Sequence, residues 1–446
     1  MMIQKVLIAN RGEIASRIIR TCKKMNIHTV AVYSEADRDA KFVKEADESY
    51  LLGPAQAQQS YLNLDRIIEI AKKAEVDAIH PGYGFMSENS IFASKCKEEN
   101  IIFIGPEVDV LEKMGDKITA RKLMKEAGVP VIEGTEEAVN LDEAISFAEK
   151  IGYPIMLKAS AGGGGIGLQV VENEEQLKQS FENNSKRAEM FFGNGTMFIE
   201  KLIPNARHIE IQVLADHHGN AIHLFERECS IQRRNQKVIE EAPSSFLSEN
   251  TRQLMGEVAV KATKELDYTN AGTIEFLVDE EENFYFLEMN TRIQVEHPIT
   301  EEITGIDIVE AQLQIANNEP LRYRQNDIKM AGHAIEARIY AEDPVNFFPS
   351  PGKITLYEEP NGTNLRIESS VRAESNVTPF YDPMIAKLIA KGKTRSEAIA
   401  HLKEALLQYK IDGIKTNIPM LLKVIDHENF ISGNITTDFV RKNLLK

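Results

Sequence analysis

Gly272-Thr-Ile-Glu-Phe-Leu-Val278 and Phe284-Tyr-Phe-Leu-Glu288, separated by the polar run Asp279 to Asn283, read as the two strands of a hairpin. The second strand continues as Glu288-Met-Asn-Thr-Arg-Ile-Gln-Val-Glu-His297. If this stretch is extended, Glu288, Asn290, Arg292, Gln294 and Glu296 share one face, while Met289, Thr291, Ile293 and Val295 pack on a core. Pairing Val278 with Tyr285 sets Glu275 opposite Glu288, roughly 5 Å away, where like charges destabilise a sheet unless something binds between them. Mg²⁺ is the simplest remedy, because it takes one or two carboxylates and completes its sphere with water and phosphate oxygens. The alternative is an outer strand face that happens to be charged.

Toward the amino terminus, Lys5 to Asn10 is a strand, Glu13 to Met25 a helix with Ile14, Ile18 and Ile19 on its apolar side, and His28 to Tyr33 a second strand, which makes a βαβ unit. Two further strand signals, Ala78-Ile79 and Ile101 to Ile104, end in His80-Pro-Gly-Tyr-Gly84 and Gly105-Pro106, loops at strand carboxyl ends where open α/β sheets bind ligands. Asn10-Arg11-Gly12-Glu13 holds one glycine, so a dinucleotide fingerprint is a weak reading and a small-molecule loop at Tyr83 and Gly84 a better one. Tyr153 to Lys158 and Leu168 to Val171 flank Ala161-Gly-Gly-Gly-Gly-Ile-Gly167, a glycine-rich hairpin. It is not a Walker A loop, since Leu168 follows Gly167 and no helix follows. Gly162, Gly163, Gly164 and Gly165 leave backbone N–H groups bare to fold over phosphates as a lid, with Lys158 supplying charge at the base. A slack tight turn is the plainer reading.

The 446 residues, 43% apolar and 27% charged, suffice for two or three packed units. A net charge of −16 without a basic block argues against nucleic acid. No apolar run nears the roughly 18 residues of a membrane span, and Met1-Met2-Ile3-Gln4 enters a strand without a signal-peptide core, so a cytoplasmic protein is expected. Cys22, Cys96 and Cys229 lack the spacing of a zinc site or a disulfide framework. Cys229 reads as a small buried side chain, His217-His218 as a surface turn, and His80 and His297 as structural. Thr394-Arg-Ser-Glu397 reads as a capping box.

The motifs Ile8 to Ile14, His80 to Gly84, Met114-Gly-Asp-Lys117, Gly162 to Gly165, His208 to Gln212, Gln232 to Lys237, Glu288 to His297 and Thr416 to Pro419 closely resemble those of the biotin carboxylases of the ATP-grasp superfamily, over essentially the whole chain. The resemblance implies an α/β fold in three parts: a Rossmann-like parallel-sheet domain over 1–114, an ATP-grasp domain over 115–330 with a mobile lid at about 132–203, and a C-terminal mixed sheet or barrel domain with terminal helices over 331–446. It implies that ATP phosphorylates bicarbonate and that the carboxyl group passes to N1′ of biotin carried on a protein lysine.

Carried over by position, Lys117, Lys158, Gly162 to Gly165, Glu200, Lys201, Ile203, His208, Gln232, Asn235, Glu275, Leu277 and Glu288 would bind ATP. Glu275, Glu288 and Asn290 would hold Mg²⁺ or Mn²⁺. Lys237, Arg292, Gln294 and Val295 would hold bicarbonate, with Glu296 as its base, and Tyr83, Gly84, Gln232 and Arg338 would form the biotin cleft. The implied partners are a biotin carboxyl carrier protein, a carboxyltransferase and a second copy in a homodimer, with no nucleic acid and no membrane. No Met-Lys-Met signature occurs, so carboxylation is expected in trans. Three departures stand out: Ile166 where many members carry Lys or Arg, Ala161 for Gly, and Asn235 for a frequent His. Alternatives are a pyruvate or other biotin-dependent carboxylase subunit, another carboxylate–amine ligase, and a nucleotide-binding regulatory subunit without turnover.

Overall fold

The computed structural model describes residues 2–161 and 167–444. Its amino-terminal sheet is parallel, in the order Glu48–Gly53, His28–Ser34, Lys5–Ile8, Ala78–His80, Ile102–Phe103. The first crossover is the helix Gly12–Lys24, whose Ile14, Ala15, Ile18, Ile19 and Cys22 form a buried stripe while Lys23 and Lys24 face the negative end of the helix dipole. The order reverses direction at Lys5–Ile8, so the loops leaving that strand and Ala78–His80 meet at a switch point.

The second sheet has eight antiparallel strands. From edge to edge it runs Phe284–Asn290, Asn270–Val278, Arg207–Ala215, Ala221–Arg233, Gln236–Ala242, His333–Tyr340, Met384–Gly392, Leu365–Ser369. The ladder is continuous across the position near residue 330 where two domains were expected to meet, with Ile239 paired to Ala337 and Glu241 to Ile335. A third, three-stranded sheet joins Leu168–Val171, Ile155–Ala159 and Met197–Lys201, the expected glycine-rich hairpin plus one strand. Ala144, Ala148, Leu157, Val171, Leu177 and Ile199 belong to a buried cluster of its own, apart from the clusters under the large sheet. Gly162 to Gly165 and Ile166 lie outside the described residues.

Three sequence expectations need correction. Val278 pairs with Phe284 rather than Tyr285, and the slip is absorbed by a bulge between Glu275 and Phe276, so that Glu275 still faces Glu288. One extra residue on the second strand restores the register that the carboxylates need. The extended run to Glu296 also stops early: the strand ends at Asn290, and a helix begins at His297 with Pro298 in its first turn, where a missing N–H costs nothing. The segment between is irregular, yet Met289, Thr291 and Ile293 remain buried. Thr394 caps Glu397 N–H as expected, but the Glu397 carboxylate accepts from Lys393 N–H at 2.8 Å instead of closing the box.

Acid should loosen one corner of this fold. Burial pushes the Glu368 carboxyl up, but Arg366 and Arg20 outweigh it and hold its pKa at about 2 against an ordinary 4.5. A depressed folded-state value stabilises fully above pH 4.5 and is lost as pH falls through about 2. Glu368→Gln should therefore lower the unfolding free energy at pH 7 by roughly 3 kcal/mol and by much less at pH 3, read from urea midpoints at each pH. Equal losses at both would show that the charge is not what stabilises.

Candidate active site

A cavity of about 420 Å³ opens over the large sheet, roofed in part by the three-stranded sheet. Every described residue expected at the nucleotide, bicarbonate and metal positions lines it, as does Arg338; Tyr83 and Gly84 do not. Its floor follows from strand register. Glu288 faces Glu275, and Glu275 faces Glu210 on the next strand, so three glutamates stand in a row across three neighbouring strands. Arg227, fully buried, faces Glu210 from the fourth.

Such a row is tolerable only with cations between its members. Lys117 Nζ lies 2.6 Å from Glu288 Oε2, and Lys237 Nζ lies 2.6 Å from Glu210, 2.9 Å from Glu275 and 2.7 Å from Glu296. His208 Nε2 is 2.7 Å from Glu275 Oε2, and its other ring nitrogen meets the Gln232 amide at 2.8 Å. Burial pushes the Glu275 carboxyl up, but Lys237 and His208 outweigh it and hold the pKa well below the carboxylate range. The like-charge problem read from the hairpin is thus met in part by lysines from elsewhere in the chain.

Glu296 sits at the end of this row. One of its oxygens is held by Lys237, and the other accepts from Arg338 at 3.0 Å; Arg338 also donates to Glu240 at 2.6 Å. Burial raises the Glu296 pKa, yet Lys237, Arg338 and Arg227 drive it far below the usual range. Glu240, by contrast, is pushed up to about 7 by burial in spite of Arg338. Arg292 bridges Glu88 of the amino-terminal part at 2.8 Å and the Asn290 side-chain oxygen at 2.8 Å.

Toward the smaller sheet, Lys158 is buried against Glu200 at 2.7 Å, and Arg121 approaches the same carboxylate at 3.3 Å. The Lys201 ammonium is tied to the carbonyls of Ile151 and Gly152, so its head group points away from the cavity. Asn235 occupies the turn between two strands with φ of 62° beside Arg234 at 51°, a left-handed pair in which asparagine is better tolerated than most side chains.

Comparison with known proteins agrees with this geometry. Residues 2–111 match the biotin carboxylase N-terminal domain, 116–324 the carbamoyl-phosphate synthase L chain ATP-binding domain, and 336–442 the biotin carboxylase C-terminal domain. The chain is 61% identical to biotin carboxylase 2 of Bacillus subtilis over 99% of its own length and 100% of that protein's. The chain belongs to the biotin carboxylase family. It is also 60% identical to the biotin carboxylase of Halalkalibacterium halodurans over 99% of this chain and 98% of that one. Among solved structures, the biotin carboxylase domain dimer of Hydrogenobacter thermophilus 2-oxoglutarate carboxylase, in complex with MgADP, ADP and bicarbonate, superposes with a TM-score of 0.97 at 49% identity, covering 99% and 98% of the two chains. Campylobacter jejuni biotin carboxylase in a β,γ-ATP complex gives 0.97 at 48%, covering 99% of each.

Two site residues of this biotin carboxylase were not singled out from sequence. Arg227 donates to Glu210 at 2.5 Å, Gln212 at 2.7 Å, Thr300 at 3.0 Å, Thr273 at 3.1 Å and Gln294 at 2.6 Å, so it orients both the acidic row and the Gln294 amide. Glu210 is the middle of that network. Its only signal was the polar alternation His208, Glu210, Gln212, which points to one face of a strand but not to the partner strands. Cys229 does enter the site, with Sγ 4.0 Å from Glu296, but burial and Glu210 push its thiol well up, so it is no thiolate nucleophile. His80, His297 and the His217-His218 turn hold structure: His80 Nδ1 accepts from Gly82 N–H, His297 Nδ1 meets the Gln294 carbonyl, and in the turn His218 N–H donates to Asp216 while its Nε2 meets the Asn318 carbonyl at 2.9 Å.

The oxygen donors suit a hard cation. Glu275 and Glu288 face one another, and Glu288 is one-third exposed toward the cavity. Asn290 is already engaged on both sides, its amide nitrogen on Glu275 at 2.8 Å and its oxygen on Arg292, so direct ligation by Asn290 would require Arg292 to let go. The carboxylate-rich triplet His208, Glu210 and Glu275 is also close enough to grip an ion, but Lys237 already fills that space.

Proposed function

We propose that this chain catalyses the ATP-dependent carboxylation of biotin on a separate carrier protein, with bicarbonate as the carboxyl source, as the first half-reaction of an acyl-CoA carboxylase. Supporting this most directly is the meeting of Lys237 and Arg338 on the two oxygens of Glu296, beside the lysines of a nucleotide cavity.

Bicarbonate entering between Lys237, Arg292 and Gln294 competes with Glu296 for cationic partners. As it takes Lys237, the hold on Glu296 weakens and its basicity rises, so the base gains strength when there is a proton to remove. Deprotonated bicarbonate attacks the γ-phosphorus of ATP, ADP leaves, and carboxyphosphate results. Lys117 and Lys158, drawn from Glu288 and Glu200 to the phosphates, neutralise charge in a step that depends mainly on positioning. Bound Mg²⁺ would add charge neutralisation at Glu275 and Glu288. Carboxyphosphate then yields CO₂ and phosphate; the phosphate takes the N1′ proton of biotin, and Arg338 stabilises the oxyanion of the ureido group.

Acetyl-CoA is the default downstream acceptor in this reading, with a carboxyltransferase as partner, a homodimer as the assembly and the cytoplasm as location. Among the described residues no helix is long and apolar enough to cross a membrane. The division at 114 and 330 is retained within the proposal, the second boundary marking a change of role along one sheet. The test is ADP release that requires bicarbonate and rises with biotin; release without biotin stimulation would favour another ligase, and none at all a regulatory subunit.

Glu288→Gln should raise the Mg²⁺ concentration for half-maximal activity by at least about tenfold, since a ligand carboxylate is lost. The bare fold should lose stability rather than gain it, because Lys117 would remain largely buried without its counter-ion. An unchanged Mg²⁺ dependence in this variant and in Glu275→Gln would remove the metal assignment.

A further inference from the structure

Lys387 has no place in the chemistry described so far, yet it is a wholly buried ammonium. It projects from the strand Met384–Gly392 and stands directly across from Arg338 in the ladder. Two buried cations facing each other across a sheet destabilise it unless each is held by partners that need it there. Arg338 has Glu240 and Glu296. Lys387 Nζ donates to the backbone carbonyl of Val295 at 2.7 Å and lies 3.2 Å from Glu13 Oε2.

Both partners lead somewhere. Val295 lines the cavity and immediately precedes Glu296. Glu13 belongs to the first helix of the amino-terminal part, and its other carboxylate oxygen accepts from the Tyr83 hydroxyl. The Tyr83 loop is pinned a second time, because the Asn10 amide donates to the carbonyls of Pro81 and Tyr83 at 2.7 Å each. Tyr83 is also within electrostatic reach of Arg338: burial and Glu13 push its hydroxyl well up, and Arg338 opposes them. Glu336, Glu368 and His297 feel the Lys387 charge from neighbouring strands and from the helix after Glu296.

We propose that Glu13 and Lys387 are positioning residues, the middle of a buried strut Tyr83–Glu13–Lys387–Val295 that fixes the biotin loop relative to the backbone beside Glu296. Neither touches substrate. The strut ties the loop that receives biotin to the segment that holds bicarbonate, using residues from four separate stretches of the chain. Its loss leaves ATP cleavage competent but lets the two reactants drift apart, so carboxyphosphate decomposes before its CO₂ reaches N1′. This rests on the biotin carboxylase reading above.

The experiment compares wild-type protein with Glu13→Gln, Lys387→Met, Tyr83→Phe and the Lys387→Met/Tyr83→Phe double variant. ADP release and carboxybiotin from labelled bicarbonate are measured together, with melting temperature as the fold control. In Glu13→Gln and Lys387→Met, carboxybiotin formed per ADP should fall about tenfold while the KM for ATP stays within about twofold, a split expected of misalignment and not of general unfolding. The double variant should be no worse than its worse single parent, because residues acting through one strut are not additive. Should Lys387→Met fail to fold, the isosteric Glu13→Gln decides. A wild-type ratio in that variant, or additive losses in the double, overturns the strut alone. Wild-type protein without biotin-stimulated turnover overturns the functional reading and the strut with it.

Discussion

Glu296→Gln will lower bicarbonate-dependent ATP cleavage by roughly 10² to 10⁴ while leaving ATP affinity nearly unchanged, because the amide keeps the shape and hydrogen bonding of the carboxylate but takes no proton. The fold gives reason to expect that this loss is chemical. Lys237 retains Glu210 and Glu275, and Arg338 retains Glu240, so neither cation is left buried without a carboxylate. ADP release at saturating biotin and bicarbonate is the measurement. Turnover near the wild-type level would place the base elsewhere, with Glu240, whose pKa is pushed up to about 7, the next to examine.

Free biotin will be a poor substrate, and a biotinylated carrier protein from the same cell will raise kcat/KM by about 10² or more. In the proposed reading the ureido ring would meet few groups: Arg338, which lines the cavity, and Tyr83 and Gly84, which do not. A folded carrier adds binding energy remote from the ring, and that energy orients N1′ at the moment of transfer. Carboxybiotin formed from labelled bicarbonate, with free biotin and with purified carrier compared, tests this. Equal efficiency would reject a carrier-dependent enzyme.

The acidic hairpin was legible because strand alternation and a short polar turn are local signals, but the facing of Glu275 and Glu288 depends on a bulge as well as on the register set by the turn. The bulge that preserves it was not, since a bulge shows only when the partner strand is known. Glu210 and Arg227 escaped for the same reason: they enter the site through pairings between strands distant in sequence, which no local pattern encodes. The roles of Lys117 and Lys237 as counter-ions belong to tertiary packing. The breakdown of alternation after Asn290 came from competition, the proline-started helix at His297 drawing the chain out of the sheet.

The unbroken eight-stranded ladder gives this molecule something like an optical bench. Lys237 and Arg338 stand on adjoining strands, Gln236–Ala242 and His333–Tyr340, whose separation is set by hydrogen bonds at about 4.8 Å and cannot be tuned by side-chain choice. The three-stranded piece is mounted on that bench with an apolar cluster of its own, separate from the clusters under the ladder. Substitutions inside the mounted piece should therefore leave the spacing of Lys237 and Arg338 where the ladder put it.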